Sequence, residues 1–122
     1  MRDINDNIIA VKSMNFAVRC VNLAHYLRET YHEFDLAGQI LKSGTSIGAN
    51  VREALRGQSR ADFRAKMNIS LREANETQYW LELLMNVEYL SPKEYTSMQH
   101  DCTELCKLLM SIVKSTQNKN EK

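Results

Sequence analysis

The chain is poor in residues that interrupt helices, with one proline and four glycines among 122 positions. Both fall well below average usage, which predicts long unbroken helices. No run of eighteen apolar residues occurs, so no membrane-spanning helix is expected. The opening MRDINDN lacks the charged-then-apolar layout of a signal peptide, and this predicts a cytoplasmic protein. Aromatic residues make up only 7% and do not interleave with the arginines, which argues against stacking-based readout of bases. There is no HExxH, no CxxC, no GxGxxG and no serine-nucleophile elbow, so the common signatures of metalloprotease, redox, dinucleotide and hydrolase chemistry are missing. Cysteine is scarce and odd in number. Cys20, Cys102 and Cys106 lie at helical core spacing and read as reduced thiols in a reducing compartment, with metal binding the lesser reading. No cofactor and no metal are expected.

What is present is ordinary for one globular domain spanning residues 1–122. Hydrophobic residues are 43% and charged residues 25%, enough for a core that needs no disulfides. Three punctuation marks divide the chain. HEFD at 32–35 ends one helix and offers Asp35 as the cap of the next. Gly57 can take the left-handed conformation that ends a helix, and Ser59 with Asp62 resembles a variant capping box. SPKE at 91–94 combines an N-cap serine, a proline at the first helical position and a glutamate that can reach back. The expected fold is all-α, an antiparallel up-down four-helix bundle, with helices near 5–32, 36–56, 60–89 and 92–116. The tail STQNKNEK, 115–122, has nothing apolar to dock and is expected to fray.

Each segment carries a helical apolar period. Tyr95, Met98, Cys102, Leu105, Leu109 and Ile112 step by three and four and form one core-facing seam. The third helix repeats Phe63, Met67, Ser70, Ala74, Thr77, Leu81 and Met85, with small residues in mid-seam. The second repeats Leu36, Ile40, Gly44, Ile47, Val51 and Leu55. A glycine inside a helix costs about 1 kcal/mol relative to alanine, so Gly44 and Gly48, four apart, predict close backbone contact with a neighbouring helix.

Helices 1 and 3 hold more apolar surface than one core needs. Ile9, Phe16, Cys20, Leu23 and Leu27 share one side of the first, while Ile4, Ile8, Val11, Met14, Val18 and Val21 share the opposite side. On the third, Ile69, Trp80, Leu83 and Val87 face away from the seam. A monomer should not expose two such stripes. Homo-oligomerisation is expected, with Ile8, Val11, Val18, Trp80, Leu83 and Val87 at the interface.

The net charge of +1 conceals two blocks. Residues 42–72 hold seven basic residues against two acidic, net +5, and residues 73–104 hold seven acidic against one basic, net −6. Arg52 and Arg56 end the second helix, and Arg60, Arg64, Asn68 and Arg72 step by four along the third. Guanidinium groups suit bidentate contact with phosphate, and the free N–H groups that open a helix add to such an anion site. Arg52, Arg56, Arg60, Arg64 and Arg72 are therefore candidates for sequence-independent binding of RNA or DNA backbone. Ion pairing between helices or subunits accounts for the same charges, and a purely structural or protein-interaction scaffold is the alternative reading.

Other polar groups point less far. Ser46, Asn50 and Glu53 form a strip on the second helix that a hydrogen-bonded helix contact explains. Glu29-x-x-His32 resembles half of a di-iron ligand set, but no second Glu-x-x-His exists. Arg19 and His25 are six residues apart, which puts them ~120° apart around one helix, poor geometry for joint chemistry. No catalytic residue is assigned, and no enzyme activity is expected.

Two stretches carry a family resemblance. TSIGANVREA, 45–54, resembles the S-I-x-x-N-[IV]-x-E signature of bacterial four-helix-bundle proteins called 23S rRNA-intervening-sequence proteins. SRADFRAKMNISLREANETQYWLELL, 59–84, is similar to the third helix of that family. The likeness extends over roughly 34–113, with Ala54 standing where many members have glycine. The resemblance implies an up-down bundle assembled into a ring-like homo-oligomer, such as a pentamer, with no catalytic activity. Some members are encoded within insertions in ribosomal RNA genes, and a related bundle is the accessory protein of diversity-generating retroelements, for which nucleic-acid binding is proposed.

Overall fold

Backbone punctuation divides the chain into four helices, α1 (Ile8–Tyr31), α2 (Asp35–Leu55), α3 (Arg60–Asn86) and α4 (Pro92–Ser115). The structure, a computed structural model, describes residues 7–117. Residues 5 and 6 of the expected first helix, Ile4, and residues 118–122 of the expected tail lie outside the described residues. The strongest signal in the sequence forms as expected. The Ser91 hydroxyl accepts from the Glu94 N–H at 3.1 Å, and Glu94 Oε1 accepts from the Ser91 N–H at 2.9 Å. At α1 the cap is Asn7, whose Oδ1 accepts from the N–H groups of Ile9 at 3.0 Å and Ala10 at 3.4 Å.

Three boundaries differ from expectation. Asp35 is the first residue of α2, not its cap. Glu33 Oε2 accepts from the Leu36 N–H at 3.0 Å instead, and Asp35 contributes negative charge to the first turn. Gly57 keeps an ordinary φ, and α2 closes through the Gly57 N–H donating to the Ala54 carbonyl at 3.0 Å. The left-handed positions are His32, φ 53°, and Glu88, φ 64°. Glu88 ends α3 at Asn86, three residues before the expected 89. Its N–H bonds the Met85 carbonyl at 3.0 Å and the Tyr89 N–H bonds the Leu84 carbonyl at 2.9 Å, a Schellman closure built without glycine.

Paired contacts fix the helix directions. Ser70 Oγ donates to the Ile47 carbonyl at 2.8 Å and the Thr77 and Ser43 hydroxyls lie 2.9 Å apart, so α3 runs against α2. Lys12 meets Glu104 at 3.1 Å and Arg19 meets Asp101 at 2.6 Å, so α4 runs against α1. Each helix packs on its neighbours in sequence, and α4 returns to α1 through a sparser contact. This is the up-down bundle. Among the described residues no helix is long and apolar enough to cross a membrane.

The predicted seams form the core. Ile40, Ile47 and Val51 of α2, Met67 and Leu81 of α3, and Cys102, Leu105 and Leu109 of α4 are fully buried around Phe16 and Leu27 of α1. Leu36, Leu55, Phe63, Tyr95 and Ile112, at the ends of those seams, are half-buried. Gly44 and Gly48 mark the predicted close approach. A Cβ on Gly44 would lie 2.8 Å from Cys20 Cβ and closer still to its sulfur, and one on Gly48 would lie 3.3 Å from Ser13 Oγ.

Leu109→Ala should lower stability by about 2–5 kcal/mol in urea melts, through lost transfer energy and the cavity left behind. Glycine substitutions should divide by sign. Gly44→Ala should destabilise by about 1–3 kcal/mol through overpacking against Cys20. Gly38→Ala, where a Cβ meets nothing within 4 Å, should stabilise by up to about 1 kcal/mol.

The Arg19–Asp101 pair has a pH signature. Burial alone would push the Asp101 carboxyl up, but hydrogen bonds from Arg19 and His100 outweigh it and hold the group below the usual range. A carboxylate depressed by folding stabilises above its unfolded pKa, and that stabilisation is lost as pH falls through the folded value. Both side chains are more than a third exposed, which limits the effect to roughly 0.2–1 kcal/mol. Asp101→Asn should be less stable than wild type by that amount in melts at pH 7, and the gap should close under strongly acidic conditions.

Candidate nucleic-acid interface

The α2–α3 turn brings the predicted arginines together from two helices. Arg52 and Arg56 lie at the end of α2 and Arg60 begins α3, all exposed. Arg52 and Arg56 form no ion pair among the described residues. Arg60 donates through Nε to the Thr116 carbonyl at 3.2 Å, which ties the turn to the end of α4. Arg64 is half-buried and engaged with its surroundings, so it is not a free cation. Arg72 is exposed, but a four-residue step advances ~40° around a helix, so it stands ~120° and ~18 Å from Arg60. The dense part of the cluster is Arg52, Arg56 and Arg60, with Arg64 behind them.

Local acids are few and partly occupied. Glu53 pairs with Lys66 at 3.7 Å across the α2–α3 contact. Asp62 lies in the first turn of α3, and its N–H is taken by the Ser59 hydroxyl at 3.0 Å. The start of α3 is therefore a weaker anion site than an open helix N-terminus, because one donor is used and a carboxylate already stands at the positive pole.

The Ser46–Asn50–Glu53 strip is spent locally. Ser46 Oγ donates to the Lys42 carbonyl at 2.6 Å and Asn50 Nδ2 to the Ser46 carbonyl at 2.9 Å, both within α2. Only Glu53 reaches another helix. Three tyrosines gather at the other end of the bundle, where Tyr31 stacks on Tyr89 at 4.5 Å and Tyr26 meets Tyr31 edge-on at 5.9 Å, and Phe63, between Arg60 and Arg64, packs against the core. Among the described residues no exposed aromatic ring stands beside the arginines.

The outward stripe of α1 is exposed, with Ile8 at 60%, Val11 at 41% and Val18 at 52%. Val87, the C-cap of α3, is 45% exposed, whereas Trp80 and Leu83 are half-buried within the protomer. Trp80 lies across the bundle surface against the core, with Nε1 donating to Glu76 Oε2 at 3.3 Å. Tyr79, 60% exposed and edge-on to Trp80, belongs to the same ridge. Its place beside Trp80 was the available sequence signal.

The remaining chemical candidates separate. Arg19 is committed to Asp101 and to Ser97, whose hydroxyl accepts at 2.9 Å, while exposed His25 lies 3.7 Å from Glu29. His32 is the left-handed cap of α1. Among the described residues no group of three or more His, Cys, Asp or Glu is arranged to hold a metal. All three cysteines are free and buried. Burial pushes the Cys20 thiol up to about 12, and a hydrogen bond to Cys106 together with burial raises Cys102. These are packing thiols.

The family model for 23S rRNA-intervening sequence proteins matches residues 5–111. No curated protein gives a match. The chain is similar to a crystal structure of a protein of unknown function from the S23 ribosomal protein family of Bacteroides thetaiotaomicron VPI-5482. The two share 56% identity at a TM-score of 0.87, over 88% of this chain and 99% of that one. The matched span takes in α1, α2, α3, most of α4 and the signature on α2, and the chain belongs to the 23S rRNA-intervening sequence protein family.

Proposed function

We propose that the protein is a non-catalytic, cytoplasmic homo-oligomer that binds RNA or DNA backbone through the arginine turn between α2 and α3. The observation that carries this reading is that Arg52 and Arg56 are exposed and form no ion pair among the described residues, beside exposed Arg60. Elsewhere the molecule does use charge structurally, as in Lys12–Glu104 and Arg19–Asp101. A guanidinium cluster left unneutralised favours an external anion. Without an exposed aromatic neighbour among the described residues it suits phosphate contact, which positions a nucleic acid without reading its sequence.

The exposed stripe Ile8–Val11–Val18 supports self-association, because a monomer gains nothing from such a surface in water. A ring-like assembly, of which the pentamer expected from the family is one form, would repeat the arginine turn and raise weak single-site affinity. Three free thiols are consistent with a reducing compartment. A scaffold without nucleic-acid binding is the competing reading, favoured by the engagement of Arg64 and by the Lys66–Glu53 pair.

Fluorescence anisotropy with single- and double-stranded RNA and DNA separates the two. Wild type should bind at low salt and lose affinity steeply as salt rises, because each neutralised phosphate releases condensed counterions. Arg56→Glu with Arg60→Glu, both at exposed positions, should remain helical and lose most of that binding. Absence of wild-type binding at low salt, or equal binding by the variant, would establish the scaffold.

A further inference from the structure

The outer side of the α1–α2 contact is a groove of about 730 Å³. Ala10, Ala17, Thr45, Gly48 and Ala49 line it, Met14 stands in its wall, and Arg52 and Arg56 lie at one end. The close packing of α1 on α2 explains its shape, since small residues let the two backbones approach and leave a shallow trough above them. Met14, 48% exposed, also belongs to the stripe of Ile8, Val11 and Val18, so groove and stripe form one apolar surface.

A ridge of opposite character runs along α3. Tyr79 and Val87 project from it, Trp80 and Leu83 support them, and Glu76 and Glu82 are exposed alongside. The groove ends in Arg52 and Arg56, which form no ion pair among the described residues, and in Glu53, which is paired with Lys66, while the ridge is flanked by carboxylates. We infer that the α3 ridge of one copy seats in the α1–α2 groove of the next, with Glu76 or Glu82 meeting Arg52. Ridge and groove lie on different faces of the protomer, because α1 and α2 form the groove while α3 packs beyond α2. The contact is therefore heterologous, each copy giving a ridge on one side and a groove on the other, the arrangement that closes rings. Ridges of side chains seated between the small residues of facing helices are ordinary helix packing. In the assembly Arg52 is spent at this junction, so the phosphate contact proposed above falls to Arg56 and Arg60, which lie nearer the turn at its rim. The inference rests on the homo-oligomer reading and adds which surfaces meet.

Two variants at exposed positions test it. Ala49→Glu blocks the groove, and Tyr79→Lys with Val87→Lys disables the ridge. In light scattering at micromolar concentration wild type should exceed 14.1 kDa, and each variant alone should return 14.1 kDa with wild-type helicity. Mixed in equal amounts, they should form a one-to-one dimer of twice that mass and nothing larger, since one intact groove and one intact ridge remain. A monomeric wild type overturns both this inference and the homo-oligomer reading, and leaves the groove to a different acidic helical partner. An oligomeric wild type with variants that assemble normally, or whose mixture stays monomeric, overturns the inference alone. If Ala49→Glu loses helicity, Arg52→Glu takes its place. It should weaken assembly about tenfold, and Glu82→Arg or Glu76→Arg in the same chain should restore it.

Discussion

The bundle depends on how closely α1 can approach α2. Gly44 and Gly48 present bare backbone to Cys20 and Ser13, and no side chain larger than hydrogen fits at Gly44 without displacement. That contact carries the largest fully buried residues of α1, Phe16 and Leu27, into the same core as Ile40 and Ile47. It also decides what lies outside. Two helices that touch through small residues leave a trough along their outer edge, and the α2 residues that follow, Arg52 and Arg56, stand at its end. One steric constraint thus links the core, the groove and the position of the cations.

The second constraint is polar. Ser43, Ser70 and Thr77 are buried, and all of them find partners in the α2–α3 seam. A slide of α3 along α2 would break those bonds while leaving much of the apolar contact intact. Hydroxyls therefore specify register where methyl groups alone would tolerate several registers. The surface pairs on α4 do the same at the opposite side of the bundle, with less energy at stake.

Much of this was legible in the sequence because helical period and cap chemistry are local. Ser91-Pro92-x-Glu94 names a helix start on its own, and the stepping of Met98, Cys102, Leu105 and Leu109 names a buried face. The misread boundaries share a cause. Glu88 adopts left-handed backbone that glycine usually supplies, so no residue type announced the early end of α3, and Gly57, which was expected to take that conformation, kept an ordinary φ. Asp35 was a plausible cap by type, but Glu33, two residues earlier, reaches the open N–H first. At the candidate site the four-residue arginine spacing was visible, but its partners were not. That Arg64 is engaged, that Arg60 bonds the end of α4, and that Ser46 and Asn50 are absorbed within α2 depend on tertiary neighbours. Trp80 looked outward by angle alone, yet a flat indole can lie along the surface its helix turns away from.

An even number of antiparallel helices returns the chain to the side from which it set out. The start of α1, the end of α4 and the α2–α3 turn share one end, as the Arg60–Thr116 bond records, while Tyr31 and Tyr89 stack at the other. Anything fused ahead of α1 or behind α4 would therefore crowd the guanidinium groups and their access to a long polyanion. The tyrosine end, with its two tight turns, offers a place to anchor a label or a solid support from which the basic end faces freely outward.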